Sequence, residues 1–142
     1  MILPDINLLV YAYNSDAPAH RRAKAWWESC LSQERPVALP WSVMLGYLRL
    51  MTNRKVVVDP FSALEAIRHI RSWLERPQVQ ILQPGPRHLD LLDSLMRDAH
   101  AAGSLTTDVH LAALAIEHQA ELHSNDADFA RFPGLRWTDP LR

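Results

Sequence analysis

A single cysteine in 142 residues, Cys30, rules out a disulfide framework and any zinc site built on thiolates. It leaves a reducing, cytoplasmic compartment as the expectation. Histidine offers no substitute as a zinc ligand set, because the seven are scattered and none pair at i, i+4 or with the cysteine. There is no run of 18 apolar residues, so no membrane span is expected. The start lacks a basic segment and Asp5 interrupts its apolar run, so no signal peptide is expected either. Internal repeats, low-complexity tracts and Gly/Ser linkers are also lacking. So is an excess of either charge: 15 basic residues face 16 acidic ones. This excludes a binder held to nucleic acid or membrane by a charged tail, but not a nuclease with a local basic groove.

What is present is a core. The chain is 48% hydrophobic, and its length suits one domain over residues 1–142 that needs no staples. Its 10 prolines are spread as punctuation between many short elements. Met1–Pro4 reads as a first strand, and the apolar run Ile6–Tyr13 as the start of a short helix. Asn14–Pro18 is a turn cluster. In His20–Gln33 the residues Ala23, Trp26, Trp27, Cys30 and Leu31 recur at helical spacing, the Trp pair facing a core or a partner. Pro36–Leu39 is a second strand, and Trp41–Thr52 an apolar helix whose only charge is Arg49. Phe61–Arg76 is amphipathic, with Leu64, Ile67, Ile70, Trp73 and Leu74 on the apolar face. Gln78–Leu82 is a third strand. Pro86–Ala102 is a helix with Pro86 in its first turn, Leu89, Leu92, Leu95 and Met96 inward, and Gly103 ending it. Thr106 or Thr107 can cap the next helix, Val109–Gln119. Glu121–Ser124 is a fourth strand, Asn125–Phe129 a sharp turn and Leu135–Thr138 a short fifth strand. Strands alternating with helices predict a three-layer α/β/α domain around a mostly parallel sheet of four to five strands.

In a parallel sheet all strand C-terminal ends share one edge, and the helices that follow them begin there. Asp5 follows the first strand, Asp126 follows the fourth, and Asp108 precedes a helix. Three carboxylates from distant parts of the chain therefore converge on one edge. Each has a plainer use as well: Asp5 as a helix cap, Asp108 against a helix dipole, Asp126 and Asp128 as turn residues. Carboxylates held together repel unless a cation sits among them. Their hard oxygens favour Mg²⁺ or Mn²⁺, ions that lower the pKa of a bound water and offset charge on a phosphate. Phosphodiester hydrolysis is the chemistry such a cluster suits. His110, one turn from Asp108, is the histidine to watch.

The residues around these acids carry a resemblance. Pro4-Asp5-Ile6-Asn7-Leu8-Leu9 resembles the start of PIN-domain proteins of the VapC toxin type. Thr107–Ala115 resembles their third acidic motif, and Leu122–Phe129 the fourth, which ends in Asp-Phe. Phe132–Trp137 is similar too, and Leu39 to Arg49 fits the position of the second motif. The match spans essentially the whole chain, and the specificity lies in four weak motifs in order. The resemblance implies a Mg²⁺- or Mn²⁺-dependent endoribonuclease, the toxin of a toxin–antitoxin pair, held inactive by a VapB-like antitoxin and commonly a homodimer. It implies Asp5, Asp108 and Asp126 as catalytic, metal-binding residues. Asn7 and Ser124 would orient carboxylates. Arg49, on the helix face of Gly46, either contacts RNA phosphate or an acid of the site, or pairs with a structural carboxylate.

One departure matters. The family pattern has a Glu three residues before the Arg of its second motif, where this chain has Gly46. Three acids then suffice, another such as Asp128 moves in, or activity is lost and the chain is a PIN-fold module that only binds RNA or antitoxin. Gly46 also leaves room for a side chain or backbone to approach. A phosphatase with an aspartyl nucleophile is a weaker rival. Asn7 stands where such enzymes want a second acid, and the only lysines, Lys24 and Lys55, come too early.

Overall fold

The computed structural model describes residues 1–100 and 103–142. Along the chain run β1 (Ile2–Pro4), α1 (Ile6–Tyr13), α2 (His20–Ser32), β2 (Val37–Pro40), α3 (Trp41–Met51) and α4 (Ala63–Leu74). They are followed by β3 (Val79–Leu82), α5 (His88–Asp98), α6 (Thr106–Glu117), β4 (Glu121–His123) and β5 (Trp137–Thr138). Short 3₁₀ turns occupy Gly103–Leu105 and Ala127–Arg131.

The five strands form one sheet in the order β3-β2-β1-β4-β5, and every ladder is parallel. With helices flanking it, this is the expected α/β architecture. The order has a consequence for the site. From β1 the chain adds β2 and β3 outward on one side, then returns through α5 and α6 to place β4 on the other side of β1. The direction of strand addition reverses between β1 and β4. Connections leave those two strands in opposite directions, which opens a crevice at their C-terminal ends.

β1 and β2 read as unbroken apolar runs because both faces are covered, whereas the edge strand β3 exposes Gln80 and Ile81. Leu3, Val37, Ala38, Leu39 and Leu122 are fully buried. Leu8, Leu9, Met44, Leu111 and Leu114 pack on them from the helices. Trp27 faces the core, edge-on to Trp73 with ring centroids 5.5 Å apart, while Trp26 lies at the margin and donates its indole N–H to His123. Helix α4 starts on a capping box, Ser62 and Glu65 bonding each other's backbone N–H.

Four local expectations need correction. Helix α5 ends at Asp98, and His100, with φ 52°, takes the left-handed position expected of Gly103. The tail of the expected helix, residues 101–102, lies outside the described residues. Pro86 stands ahead of α5, because the amides on either side of it, Gly85 and Arg87, are bound by Glu117 before the helix begins. Helix α6 begins at Thr106 and has no side-chain cap; the Thr106 hydroxyl donates back to the Gly103 carbonyl at 2.7 Å. Finally, Leu64, Ile67 and Leu89 are exposed. Helix α4 buries only Ala66, Ile70 and Trp73, and α5 only Leu95, so their apolar stripes are wider than the strips they cover.

Candidate active site

Asp5 follows β1 without a gap and is almost fully buried at the mouth of the β1/β4 crevice. Its backbone N–H continues the sheet by donating to the His123 carbonyl of β4 at 2.9 Å. Both carboxylate oxygens are engaged. Oδ1 accepts from the Ile6 N–H at 2.8 Å, starting α1, and Oδ2 accepts from the Ser124 hydroxyl at 2.8 Å. The capping use and the site position therefore fall on one residue.

Ser124 is fixed on every polar atom. Its N–H donates to Thr138 and its carbonyl accepts from the Trp137 indole, both on β5. Its hydroxyl accepts from the Asp126 N–H at 3.0 Å while donating to Asp5. Asp126 in turn accepts from the Asp128 N–H at 2.9 Å, starting the 3₁₀ turn. Asp5, Ser124, Asp126 and Asp128 thus form one hydrogen-bonded chain across the crevice.

Asp108, in the first turn of α6, joins this group through its field. Its carboxyl is pushed up to about 6, first by partial burial and then by the negative charges of Asp5, Asp126 and Asp128, with Arg131 pulling the other way. Burial also raises Asp5, and Asp126 adds to the rise, against the hydrogen bonds from Ser124 and Ile6 that favour its charged form. Two carboxylates raised by burial and further by like charges mark a site short of positive charge.

Asn7 and Arg49 lie elsewhere, and Asp128 joins the chain only through its backbone N–H. Asn7 is exposed in the first turn of α1, and among the described residues its side chain makes no hydrogen bond. Arg49 is exposed near the end of α3 and, among the described residues, pairs with no carboxylate. Asp128 is exposed, 3.8 Å from the Arg131 guanidinium. Arg131 itself was not singled out in the sequence. Its spacing of three from Asp128, just past the expected turn Asn125–Phe129, was the available signal.

Gly46 is buried in α3, and the room it leaves is taken. A Cβ there would lie 2.6 Å from Cδ1 of Ile6, the residue next to Asp5. The position where the family pattern has a carboxylate is filled by an isoleucine side chain.

The donor set fits a hard divalent ion in chemistry and in charge: carboxylate oxygens, no sulfur, and too little positive charge nearby. Among the described residues, no three His, Cys, Asp or Glu side chains are drawn closely enough together to hold an ion. The fit is one of donors and field rather than of a closed cage.

A parallel α/β domain with acids gathered at the point where strand order reverses defines a class of proteins that bind charged ligands at a sheet edge. The chain belongs to the PIN-domain family, whose model matches residues 2–135, and within it to the VapC type. Ribonuclease VapC33 of Mycobacterium tuberculosis (strain H37Rv) is 48% identical over 142 residues, covering 100% of this chain and 99% of its own. Ribonuclease VapC43 of the same strain is 38% identical over 141 residues, covering 99% and 96%. Among solved structures, VapBC2 from Rickettsia felis bound to a promoter DNA fragment superposes with a TM-score of 0.70 at 18% identity, covering 97% of this chain and 98% of that one. Mycobacterium tuberculosis VapC20, a Sarcin-Ricin loop cleaving toxin, gives 0.67 at 19% identity, covering 96% and 99%. At these identities the structural likeness is one of fold.

Proposed function

We propose that the chain is an endoribonuclease toxin in which Asp5, Asp108 and Asp126 hold a Mg²⁺ or Mn²⁺ ion and do the catalytic work. The observation that carries this reading is the hydrogen-bonded chain Asp5–Ser124–Asp126–Asp128 at the β1/β4 crevice, with Asp108 near enough that their charges add to the burial that lifts it to about 6. The ribonuclease names of full-length relatives support the substrate class. When bound, the divalent ion supplies Lewis-acid stabilisation of charge on the phosphate and a more acidic water.

The chain's own residues have separate tasks. Asp5 presents its carboxylate from a position fixed by two hydrogen bonds and by the sheet itself. Ser124 keeps Asp5 from rotating and ties it to the Asp126 backbone. Asp108 brings a second carboxylate from α6, and Arg131 sets a cation beside the acids where an RNA phosphate can be steered. Asp5-Ile6-Asn7 does not supply the second acid an aspartyl-nucleophile phosphatase wants, and Lys24 is paired with Glu28 on α2.

A VapB-like antitoxin and a second copy of the chain are the proposed partners. Exposed Trp41, Leu45, Leu64 and Ile67 on α3 and α4 give apolar surface suited to such contacts. Among the described residues no helix is long and apolar enough to cross a membrane. The single buried cysteine suits the cytoplasm. The non-catalytic reading rests on Gly46 alone, and that position is occupied by Ile6.

The test is cleavage of total cellular RNA with added Mg²⁺ or Mn²⁺, against Asp5→Asn and Asp108→Asn. Both variants are expected to keep the wild-type circular dichroism spectrum and lose cleavage, and EDTA should silence the wild type reversibly. Full activity in both variants would overturn the assignment.

A further inference from the structure

A second polar chain stands at the same sheet edge, on the β2 and β3 side of the carboxylates. His88, at the start of α5, and His110, in α6 two residues after Asp108, bond each other, Nε2 to Nδ1, at 2.9 Å with their rings nearly perpendicular. The remaining nitrogen of His110, Nε2, lies 3.0 Å from the Ser42 hydroxyl. Ser42 is in the first turn of α3, directly after β2 and partly open to solvent. β1 and β2 are adjacent with Ile2 opposite Val37, which sets Pro40 alongside Asp5 three residues further on.

The direction of this chain follows from one atom. His88 Nδ1 is buried and has no hydrogen-bond partner among the described residues. An unpaired N–H in that place would be a buried orphan donor, which native structures tolerate less well than an unpaired acceptor. The His88 proton therefore sits on Nε2 and is donated to His110 Nδ1. His110 then carries its own proton on Nε2 and donates it to Ser42 Oγ. A doubly protonated ring in either position leaves that last step unchanged. Only the reversed tautomer, with the orphan N–H on His88, would have Ser42 donating to His110.

Ser42 Oγ thus accepts from His110, and its own O–H has no acceptor among the described residues. The carboxylates at the same sheet edge can only repel an anion. An RNA phosphate brought to Asp5 and Asp108 needs donors, and Arg131 is the one beside the acids. We propose that Ser42 is a substrate-binding residue, its hydroxyl donating to a non-bridging phosphate oxygen of the RNA strand, with His110 and His88 as positioning residues that turn the hydroxyl outward. This rests on the endoribonuclease reading for its ligand, but the direction of the chain does not.

Two measurements separate the ideas. Long-range ¹H–¹⁵N correlation spectra of the histidine rings report the tautomers in the wild-type protein without RNA. Nε2–H on both His88 and His110 is expected, and a His110 ring without a proton on Nε2 would overturn the proposal whatever the activity. In cleavage of a fixed RNA, Ser42→Ala is expected to raise KM about tenfold or more, the loss of a hydrogen bond to a charged group. It should leave kcat and the cut sites unchanged, as loss of uniform binding does. Ser42→Thr should restore wild-type KM. His110→Gln, which keeps a donor near the Nε2 position, should do better than His110→Ala, and Ser42→Ala/His110→Ala should be no worse than Ser42→Ala. An unchanged KM in Ser42→Ala sinks the proposal and leaves the ribonuclease reading standing. If the wild type binds RNA without cutting it and Ser42→Ala weakens binding, the ribonuclease reading fails and the proposal stands. No binding of RNA by the wild type overturns both.

Discussion

Ile6 occupies two roles through one side chain and one amide. Its N–H is the donor that holds Asp5 Oδ1, and its Cδ1 fills the notch over Gly46. Alanine at position 46 would gain helix propensity of about 1 kcal/mol over glycine. It would also press a methyl to within 2.6 Å of Cδ1, so the isoleucine must turn. The two effects oppose, and the pair of residues decides the sign. Ile6→Val removes Cδ1 itself, so Gly46→Ala is expected to be more favourable on the Ile6→Val background than on the wild type, by about 0.5–1 kcal/mol. Urea melts of the four proteins of that cycle measure it, and strictly additive effects would show that the notch is not filled as described. Asp5, Asp108 and Asp126 were legible as converging acids, because that needs only strand ends and a parallel sheet. The chain from Ser42 to His88 was not. Those contacts join residues 22 and 68 apart in sequence through space, and no local spacing announces them.

Beside the His88–His110 bond, a single carboxylate of α6 fastens the approach to α5. Glu117, in the last turn of α6, accepts from the Gly85 N–H at 2.8 Å and the Arg87 N–H at 2.9 Å, so it caps the approach to α5 from another helix. Gly85 makes room for it: a Cβ there would fall 2.5 Å from a Glu117 carboxylate oxygen. Glu117→Gln sets an amide against one of the two N–H donors and is expected to cost about 1–3 kcal/mol. Hydrogen exchange at the Gly85 and Arg87 amides should quicken in that variant while β1 and β4 keep their protection. Unchanged exchange at both would mean the cap does not hold the loop. One turn later α6 ends in a Schellman motif, with Gln119 N–H donating to Ile116 and Ala120 N–H to Ala115. Gln119 holds φ 55° where glycine is usual. Gln119→Gly is expected to stabilise the protein by about 0.5–1 kcal/mol, less what the freer unfolded chain takes back, and a lower melting temperature would contradict that. Element types were legible from apolar period throughout, whereas these ends were not. His100 and Gln119 stand where glycine would signal a stop, and Glu117 reaches its partners 30 and 32 residues away.

The whole sheet turns these local features into a site, and its order was the part the chain does not spell out. Any parallel arrangement brings strand ends to one edge, but only β3-β2-β1-β4-β5 puts the reversal of direction between the strand that ends in Asp5 and the one that leads to Asp126. The charge gathered there acts on the stability of the whole domain. The folded protein keeps the Asp108 proton to about 6, and the unfolded chain releases it near the ordinary aspartate value of about 4. Between those values the folded state binds more protons, so this group's contribution to stability falls as pH rises through the window. Raised Asp5 acts in the same direction. His69, His88, His110 and His123, all lowered by burial, act oppositely, losing stability as pH falls below their ordinary range. A melting curve of the wild type alone therefore mixes the two. The difference between wild type and Asp108→Asn isolates the acid: in EDTA the Asn variant should gain on the wild type from pH 4 to about 6 and then level off. The proposed divalent ion would reverse that order. Held at a hundred times its dissociation constant, it contributes about 2.7 kcal/mol, and it binds only charged carboxylates. Mn²⁺ should therefore raise the wild-type melting temperature more at pH 7.5 than at pH 5, and raise that of Asp108→Asn much less. Parallel curves for the two proteins, with and without Mn²⁺, would remove both the shared field at the β1/β4 crevice and the ion proposed to neutralise it.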